Sequence, residues 1–235
     1  MNIILVEEGE NFFPSSDERY QHIKKVLHLG EGDSFRAGII NSLEGNAVIT
    51  SFDEKGIFFT FTGEKDTSAL YPLTLIVGQT RPICMRRILR EAVSLGVGRL
   101  ILPVTDLGEK SYSSSSLYTD GEYRKILLDG AMQAGKTGVS RCDIVSSAEE
   151  AAEMTDGEVC LLLDNVIGSV PLSGMDLSRK RVTMAIGPER GWSERERRLF
   201  IDKGFTPTLL GSRILRTETA VSAATAVALA SMGLL

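Results

Sequence analysis

Through residue 70 the chain alternates apolar and polar positions in short runs broken by Gly, Asn, Asp and Glu turns, which predicts strands over residues 2–6, 34–40, 46–52 and 57–61. One helical stretch interrupts them. Tyr20, Ile23, Val26 and Leu27 recur at helical spacing, Ser16 stands where a cap belongs, and Gly30-Glu31-Gly32-Asp33 stops the helix. This pattern predicts a small β-barrel with one helix. The rhythm changes near Ala69-Leu70-Tyr71-Pro72, where Pro72 resists incorporation into a central strand, so a boundary is expected between domains 1–70 and 71–235. Beyond it strands are expected at 73–78, 99–104, 159–164, 182–187 and 206–210, and helices at 83–95, 121–134, 194–203 and 218–232. Ser193 and Glu196 form a capping box at the start of the third of these helices, and Gly204 ends it. Such alternation predicts an α/β domain with a mainly parallel sheet.

Composition narrows the class without naming a chemistry. At 235 residues and 43% apolar content, the chain can bury a sizeable core as a soluble globular protein. No run of about 18 apolar residues exists to span a bilayer. The opening Met1-Asn2-Ile3-Ile4-Leu5 soon turns acidic, unlike a signal peptide, so a cytoplasmic location with no membrane partner is expected. Cys84, Cys142 and Cys160 are odd in number and scattered, and His22 and His28 are the only imidazoles, which predicts reduced thiols and no metal. A net charge of -5 argues against indiscriminate nucleic-acid binding. The charge is uneven, with 12 acidic against 6 basic residues through residue 70 and 19 against 20 after it, so a polyanion would be engaged locally.

Candidate chemistry concentrates in the last fifth of the chain. Ala185-Ile186-Gly187-Pro188-Glu189-Arg190-Gly191-Trp192-Ser193 and Leu210-Gly211-Ser212-Arg213-Ile214-Leu215-Arg216-Thr217-Glu218-Thr219-Ala220 each leave an apolar run, open into a glycine-bearing loop and enter a helix. The two loops are expected to converge at the carboxyl ends of neighbouring parallel strands, where α/β sheets bind ligands. Gly187 and Gly191 let a ligand approach the backbone and Pro188 stiffens the loop between them. Leu210, Gly211, Ile214 and Leu215 offer apolar walls and main-chain groups of the kind an adenine ring needs. On these grounds alone a pair of structural turns stands as an equal alternative. There is no G-x-G-x-x-G fingerprint and no Walker loop to support an ordinary dinucleotide or nucleoside-triphosphate site.

Together these stretches resemble the SPOUT class of S-adenosylmethionine-dependent RNA methyltransferases, and most closely the RsmE family, which methylates N3 of a uridine in small-subunit ribosomal RNA. The family's G-P-E-G-G loop stands here as Gly187-Pro188-Glu189-Arg190-Gly191, and its L-G-x-R-[IV]-L-R-T-E-T-A stretch as residues 210–220. The similarity extends to Gly78-Gln79, Leu95-Gly96-Val97 and Gln133, while His22-Ile23, Val26-Leu27 and Gly32-Asp33 match the family's PUA-like barrel. What the resemblance implies is a PUA-like, RNA-binding barrel over 1–70. It further implies a SPOUT domain over 71–235 whose C-terminal segment is threaded into a deep trefoil knot, and a homodimer. It also implies S-adenosylmethionine as cofactor, held by Leu163, Ile186, Gly187, Pro188, Glu189, Gly191, Leu210, Gly211, Ile214, Leu215 and Thr219.

Uracil N3 is a poor nucleophile until its proton is removed or its anion stabilised. Within the resemblance, Arg216 suits charge stabilisation on the uracil oxygens, while Glu218 either orients Arg216, accepts a proton or serves the helix dipole. Arg81, Arg86, Arg87, Arg90 and Arg190 are the expected RNA contacts, Arg86 and Arg90 sharing a helix face; a plain solvated face would carry the same pattern. Several positions depart from the family. Glu91 and Ser94 replace the Lys and Glu of its K-x-x-E-L-G-V, Met132-Gln133 and Gly138-Val139-Ser140 replace its E-Q and R-x-P, and His28 replaces a common Arg. These losses of positive charge leave two alternatives beside the uracil-N3 enzyme: a SPOUT methyltransferase acting on another base or a ribose 2′-hydroxyl, and a non-catalytic RNA-binding ribosome-assembly factor.

Overall fold

A computed structural model describes residues 2–235, which form a mixed α/β fold with two sheets. Two compact units are present, one running to Ala69 with Ala131–Val139 added, the other comprising Leu70–Gly130 and Ser140–Leu235. The first contains β1 (Ile4–Val6), β2 (Phe12–Pro14), α1 (Glu18–His22) continued by a π-helical turn over Ile23–Leu27, β3 (Ser34–Ile39), β4 (Leu43–Phe52) and β5 (Gly56–Asp66). Its sheet order is β1-β3-β4-β5-β2. Strand β2 is absent from the sequence reading because three residues cannot establish a period; pairing with β5 makes it a strand. The cap of α1 is Asp17 and not Ser16. The Asp17 carboxylate accepts from the Arg19 amide at 2.7 Å and pairs with the Arg19 side chain at 2.8 Å, a charged partnership that a serine hydroxyl cannot match.

Aromatic contacts fix this unit's core, with Phe59 4.6 Å from Phe13 and 5.7 Å from Phe35 between ring centroids. Residues 131–139 join it through polar bonds: Thr137 Oγ1 donates to the Ser42 carbonyl at 2.6 Å and the Val139 amide to Asn41 Oδ1 at 2.8 Å.

The second unit contains β6 (Tyr71–Val77), α2 (Pro82–Ser94), β7 (Val97–Pro103), α3 (Ser116–Thr119), α4 (Glu122–Ala134, its last turn belonging to the first unit), β8 (Arg141–Val145), α5 (Ala148–Glu153) and β9 (Val159–Leu163). It continues with β10 (Val170–Pro171), β11 (Val182–Ile186), α6 (Glu194–Asp202), β12 (Thr206–Leu209) and α7 (Thr217–Met232). The strand order is β10-β12-β9-β11-β6-β7-β8, and every pairing is parallel. All five β11 residues are buried, as expected where helices cover both faces of a parallel sheet. Ile76, Ile101, Leu162 and Ala185 turn to one face, where Trp192, Phe200 and Phe205 stack; α7 packs with α2 elsewhere.

Strands β8 and β10 and helix α5 lack counterparts in the sequence reading. Strand β8 is a largely uncovered edge of mixed polarity, and the other two are only 2 and 6 residues long. Pro72 does enter a central strand, contrary to expectation. It lies where the β6–β7 register slips between Tyr71 and Thr74, before pairing with β11 begins at Leu73, so its missing N–H breaks no regular ladder. Strands β11 and β12 are not neighbours either: β9 lies between them, because strand order follows tertiary pairing and not sequence order. No helix among the described residues is long and apolar enough to cross a membrane.

Helices α2 and α4 meet at Gly130, where a Cβ would lie 2.2 Å from Val93 Cγ1 and 2.7 Å from the Arg90 carbonyl. Alanine gains up to about 1 kcal/mol of helix propensity over glycine, but main-chain overlap costs about 1–3 kcal/mol. The loss wins: Gly130→Ala is expected to lower the urea midpoint, and an unchanged or raised midpoint would show that the helices part freely.

Candidate functional site

The site is built on glycines that let main chains touch. At Gly187, a Cβ would lie 2.9 Å from Gly191 Cα and 3.1 Å from the Trp192 nitrogen, so the loop after β11 folds directly onto itself. Gly191 adopts φ +70, and its amide closes a turn on the Pro188 carbonyl at 2.8 Å. Pro188 rests on Gly78 at the end of β6, where a Cβ would approach Pro188 Cδ to 2.5 Å, and the Gly78 amide donates to the Ile186 carbonyl at 3.0 Å.

Glu189 locks this nesting in place. Its Oε1 accepts a short hydrogen bond from Thr80 Oγ1 and another from the Arg81 amide at 3.0 Å. Arg81 is the N-cap of α2 and Pro82 its first residue, so the carboxylate sits at the positive end of the helix dipole. Desolvation raises the carboxyl pKa, but the bonds from Thr80 and Arg81 outweigh it and hold the group below the ordinary carboxylate range.

The second loop meets the first. Thr217 Oγ1 donates to the Gly187 carbonyl at 3.4 Å, which brings the end of the 210–217 segment to the 187–191 turn at the carboxyl end of the sheet. Between them β9 ends at Leu163, 9% exposed, followed by buried Asp164. Asp164 accepts from the Val166 and Ile167 amides at 2.7 and 3.0 Å and pairs with Arg197 at 2.8 Å, fixing α6 to the end of β9. Glu196, fully buried, completes the capping box with Ser193 and accepts from the Asp106 amide at 2.9 Å, tying the loop after β7 to the start of α6.

Gly211 differs from the other glycines. A Cβ there meets nothing within 4 Å and its φ is not positive, so packing and backbone conformation leave the absence of a side chain unexplained. Ile214 is 83% exposed, almost without cover from the chain, and Leu215 is 38% exposed. Leu163, Ile186, Gly187, Pro188 and Gly191 therefore come together with Thr217, while Gly211, Ile214 and Leu215 extend as an open arm and Thr219 lies exposed on the first turn of α7.

Arg216 is the exposed N-cap of α7 and makes no side-chain cap bond. Its pairing with Glu218 does not occur among the described residues; Cys84 Sγ lies 3.8 Å from Glu218 Oε1 instead. Burial, followed by the charge of Glu218, raises the Cys84 thiol pKa and keeps it protonated. On α2, Arg86 pairs with Glu122 at 2.5 Å, whereas Arg87 and Arg90 are exposed without ion pairs among the described residues. Arg81 bonds Tyr112 at 3.3 Å, and Arg190 is exposed beside Glu189.

Sequence reasoning missed Thr80, Cys84, Asp164 and Thr217 as parts of this site. Asp164 and Thr217 carried the only usable signals, as a polar residue directly after an apolar strand and a member of the 210–220 stretch. The departures at Glu91 and Ser94 acquire local partners: Ser222 of α7 donates to Glu91, and Ser94 Oγ donates to the Arg90 carbonyl at 2.8 Å and the Gly130 carbonyl at 3.1 Å.

Because Glu189 has a depressed folded pKa, its stabilising contribution is full above the unfolded carboxylate value and disappears as pH falls through the folded value. Thermal melts followed by Trp192, the single tryptophan, are expected to place Glu189→Gln below the parent at neutral pH, with the gap closing in acid. A gap independent of pH would remove the carboxylate clasp.

The chain matches the RNA methyltransferase domain family over residues 67–229. It is 39% identical to ribosomal RNA small subunit methyltransferase E of Treponema pallidum over 243 aligned positions, covering 98% of this chain and 91% of that protein. It is 29% identical to ribosomal RNA small subunit methyltransferase E 1 of Borreliella burgdorferi, with 97% of each covered. Its fold is similar to the crystal structure of a ribosomal RNA small subunit methyltransferase E from Neisseria gonorrhoeae bound to S-adenosyl methionine, with a TM-score of 0.84 at 22% identity and coverage of 99% and 98%. With its glycine-nested loops at the carboxyl edge of a parallel sheet and its family match over most of its length, the chain belongs to the ribosomal RNA small subunit methyltransferase E family of RNA methyltransferases.

Proposed function

We propose that this chain is an S-adenosylmethionine-dependent methyltransferase acting on N3 of a uridine in small-subunit ribosomal RNA. The observation that carries this reading is the junction of the two loops through Thr217 and Gly187, beside a Gly211 that the chain's own packing does not require. A main chain cleared of side chains next to the exposed apolar Ile214 and Leu215 fits a flat heterocycle such as adenine, which needs close backbone donors and acceptors and apolar walls. Leu163, Ile186, Leu210 and the 187–191 turn form the remaining candidate walls, with Thr219 at the helix start. When bound, S-adenosylmethionine supplies a methyl group already activated by its sulfonium.

The protein's own work is then to hold the base and stabilise charge. Arg216, exposed and free of cap bonds, can donate to a uracil oxygen as N3 loses its proton. Glu218 is the nearby proton acceptor on α7; its neighbour Cys84 stays protonated and is no nucleophile. Glu189 is a positioning residue, since both its recorded bonds hold loops together. Arg81, Arg87, Arg90 and Arg190 form the RNA-facing set, with Arg86 partly neutralised by Glu122.

The same reading takes the first unit as a PUA-like, RNA-binding barrel and the second as a SPOUT domain with a trefoil-knotted C-terminal segment. It takes the active form as a homodimer, in which a second copy covers apolar side chains left exposed near the site. The likeness of fold to the Neisseria gonorrhoeae protein and the insertion of β12 between β9 and β10 support the second assignment.

Arg216→Ala is expected to lower methyl transfer to small-subunit RNA by about 100- to 1,000-fold, the scale for removing one charge-stabilising donor. Calorimetry should find S-adenosylmethionine affinity unchanged. Normal turnover in the variant would take Arg216 out of the mechanism, and no uptake of S-adenosylmethionine by the parent protein would remove the whole reading.

A further inference from the structure

The first unit holds a half-open cleft of about 280 Å³, walled by Leu27, Leu29 and Phe35 and carrying the polar side chains of His22, Ser34 and Arg36. Its volume lies just below the roughly 300 Å³ at which sites for drug-sized ligands begin, so it suits a fragment the size of one heterocycle. Here an imidazole, a hydroxyl and a guanidinium share the lining, although Arg36 is already engaged by Glu44 and the Gly135 carbonyl.

Two further observations bear on the occupant. His22 Nε2 is buried and has no hydrogen-bond partner among the described residues, an uncompensated loss in the folded protein. Burial lowers the His22 pKa, so the ring is neutral and presents one donor and one acceptor. Directly after it the chain enters the π-helical turn Ile23–Leu27, a geometry with an extra residue per turn that recurs at functional sites. That turn leaves Val26 60% and Leu27 38% exposed, with Lys24 and Lys25 also at the surface. In the acidic N-terminal third of the chain, this places adjacent lysines, which can meet a phosphate backbone, beside exposed aliphatic surface.

We infer that this cleft receives one unpaired nucleobase of the RNA substrate, with His22 and Ser34 bonding its edge, Leu27 and Leu29 against its face, and Lys24 and Lys25 on the flanking phosphates. The inference rests on the reading of the chain as an RNA methyltransferase and assigns it a second RNA contact, remote in sequence from the 187–217 loops. A duplex cannot supply such a base without opening, so single strands should be preferred.

The test uses the full chain and a short uridine oligonucleotide carrying one 4-thiouridine. Photo-crosslinked peptides are identified by mass spectrometry, and affinities for the single strand and for a matched duplex are measured by anisotropy for the parent, His22→Gln and Leu27→Gln. Leu27 is at the surface, so its variant keeps the fold if His22→Gln does not. Crosslinks within residues 22–36, roughly tenfold weaker single-strand binding in the variants, and unchanged S-adenosylmethionine affinity are expected. Crosslinks confined to other residues, or variants that bind the single strand like the parent, would overturn the cleft assignment. A parent protein that takes up S-adenosylmethionine and methylates RNA while those results fail sinks the cleft alone; one that does neither sinks the methyltransferase reading with it.

Discussion

The candidate site depends on main-chain contact between Gly187 and Gly191, a contact too close for any Cβ. With it, the loop after β11 becomes thin enough for Pro188 to settle on Gly78 and for Glu189 to reach Thr80 and Arg81. Without it, the loop would swell away from β6 and the Gly187 carbonyl would no longer meet Thr217. Each of these bonds is modest, about 0.5–1.5 kcal/mol net by the usual scale. Their effect comes from acting on one short turn, which leaves it little freedom.

A division of labour among carboxylates follows. Glu189, Glu196 and Asp164 spend their oxygens on backbone amides, the Thr80 hydroxyl or arginine near the carboxyl end of the sheet, and so hold α2, α6 and the β9 loop in register. Glu218 is the exception, since its recorded side-chain partner is a protonated thiol at 3.8 Å. On the exposed 211–216 segment, Arg213 and Arg216 have no side-chain partners among the described residues, and Ile214 is largely bare. Rigid scaffold beneath, uncommitted side chains above: that contrast is what a site for a bound group and a large substrate needs.

The departures from the family pattern read differently once packing is visible. Glu91 looked like a lost positive charge on an RNA-facing helix, yet it receives the Ser222 hydroxyl from α7. Ser94 likewise links α2 to the Gly130 carbonyl. Both residues therefore have packing roles among α2, α4 and α7 in this chain. At the 138–140 departure, Ser140 is buried and its Oγ donates to the Val97 carbonyl at 2.6 Å, whereas for His28 the contacts offer no comparable reason.

By itself the sequence determined the longer helices and the buried strands of the second unit, though not the short α3, α5 and β10 or the edge strand β8, because apolar runs of five or more residues bounded by glycine and a capping box leave few conformations. It also placed glycine at Gly187 and Gly191, where the close turn of the first loop requires it. Tertiary structure alone decided that β9 separates β11 from β12, that Glu189 clasps α2, that Glu218 faces Cys84 instead of Arg216, and that residues 131–139 belong with the first unit. Local patterns specify dihedral angles and amphipathic faces, but the partner of a strand edge or a carboxylate is chosen by competition among groups tens of residues apart. That competition is settled only when the whole core closes.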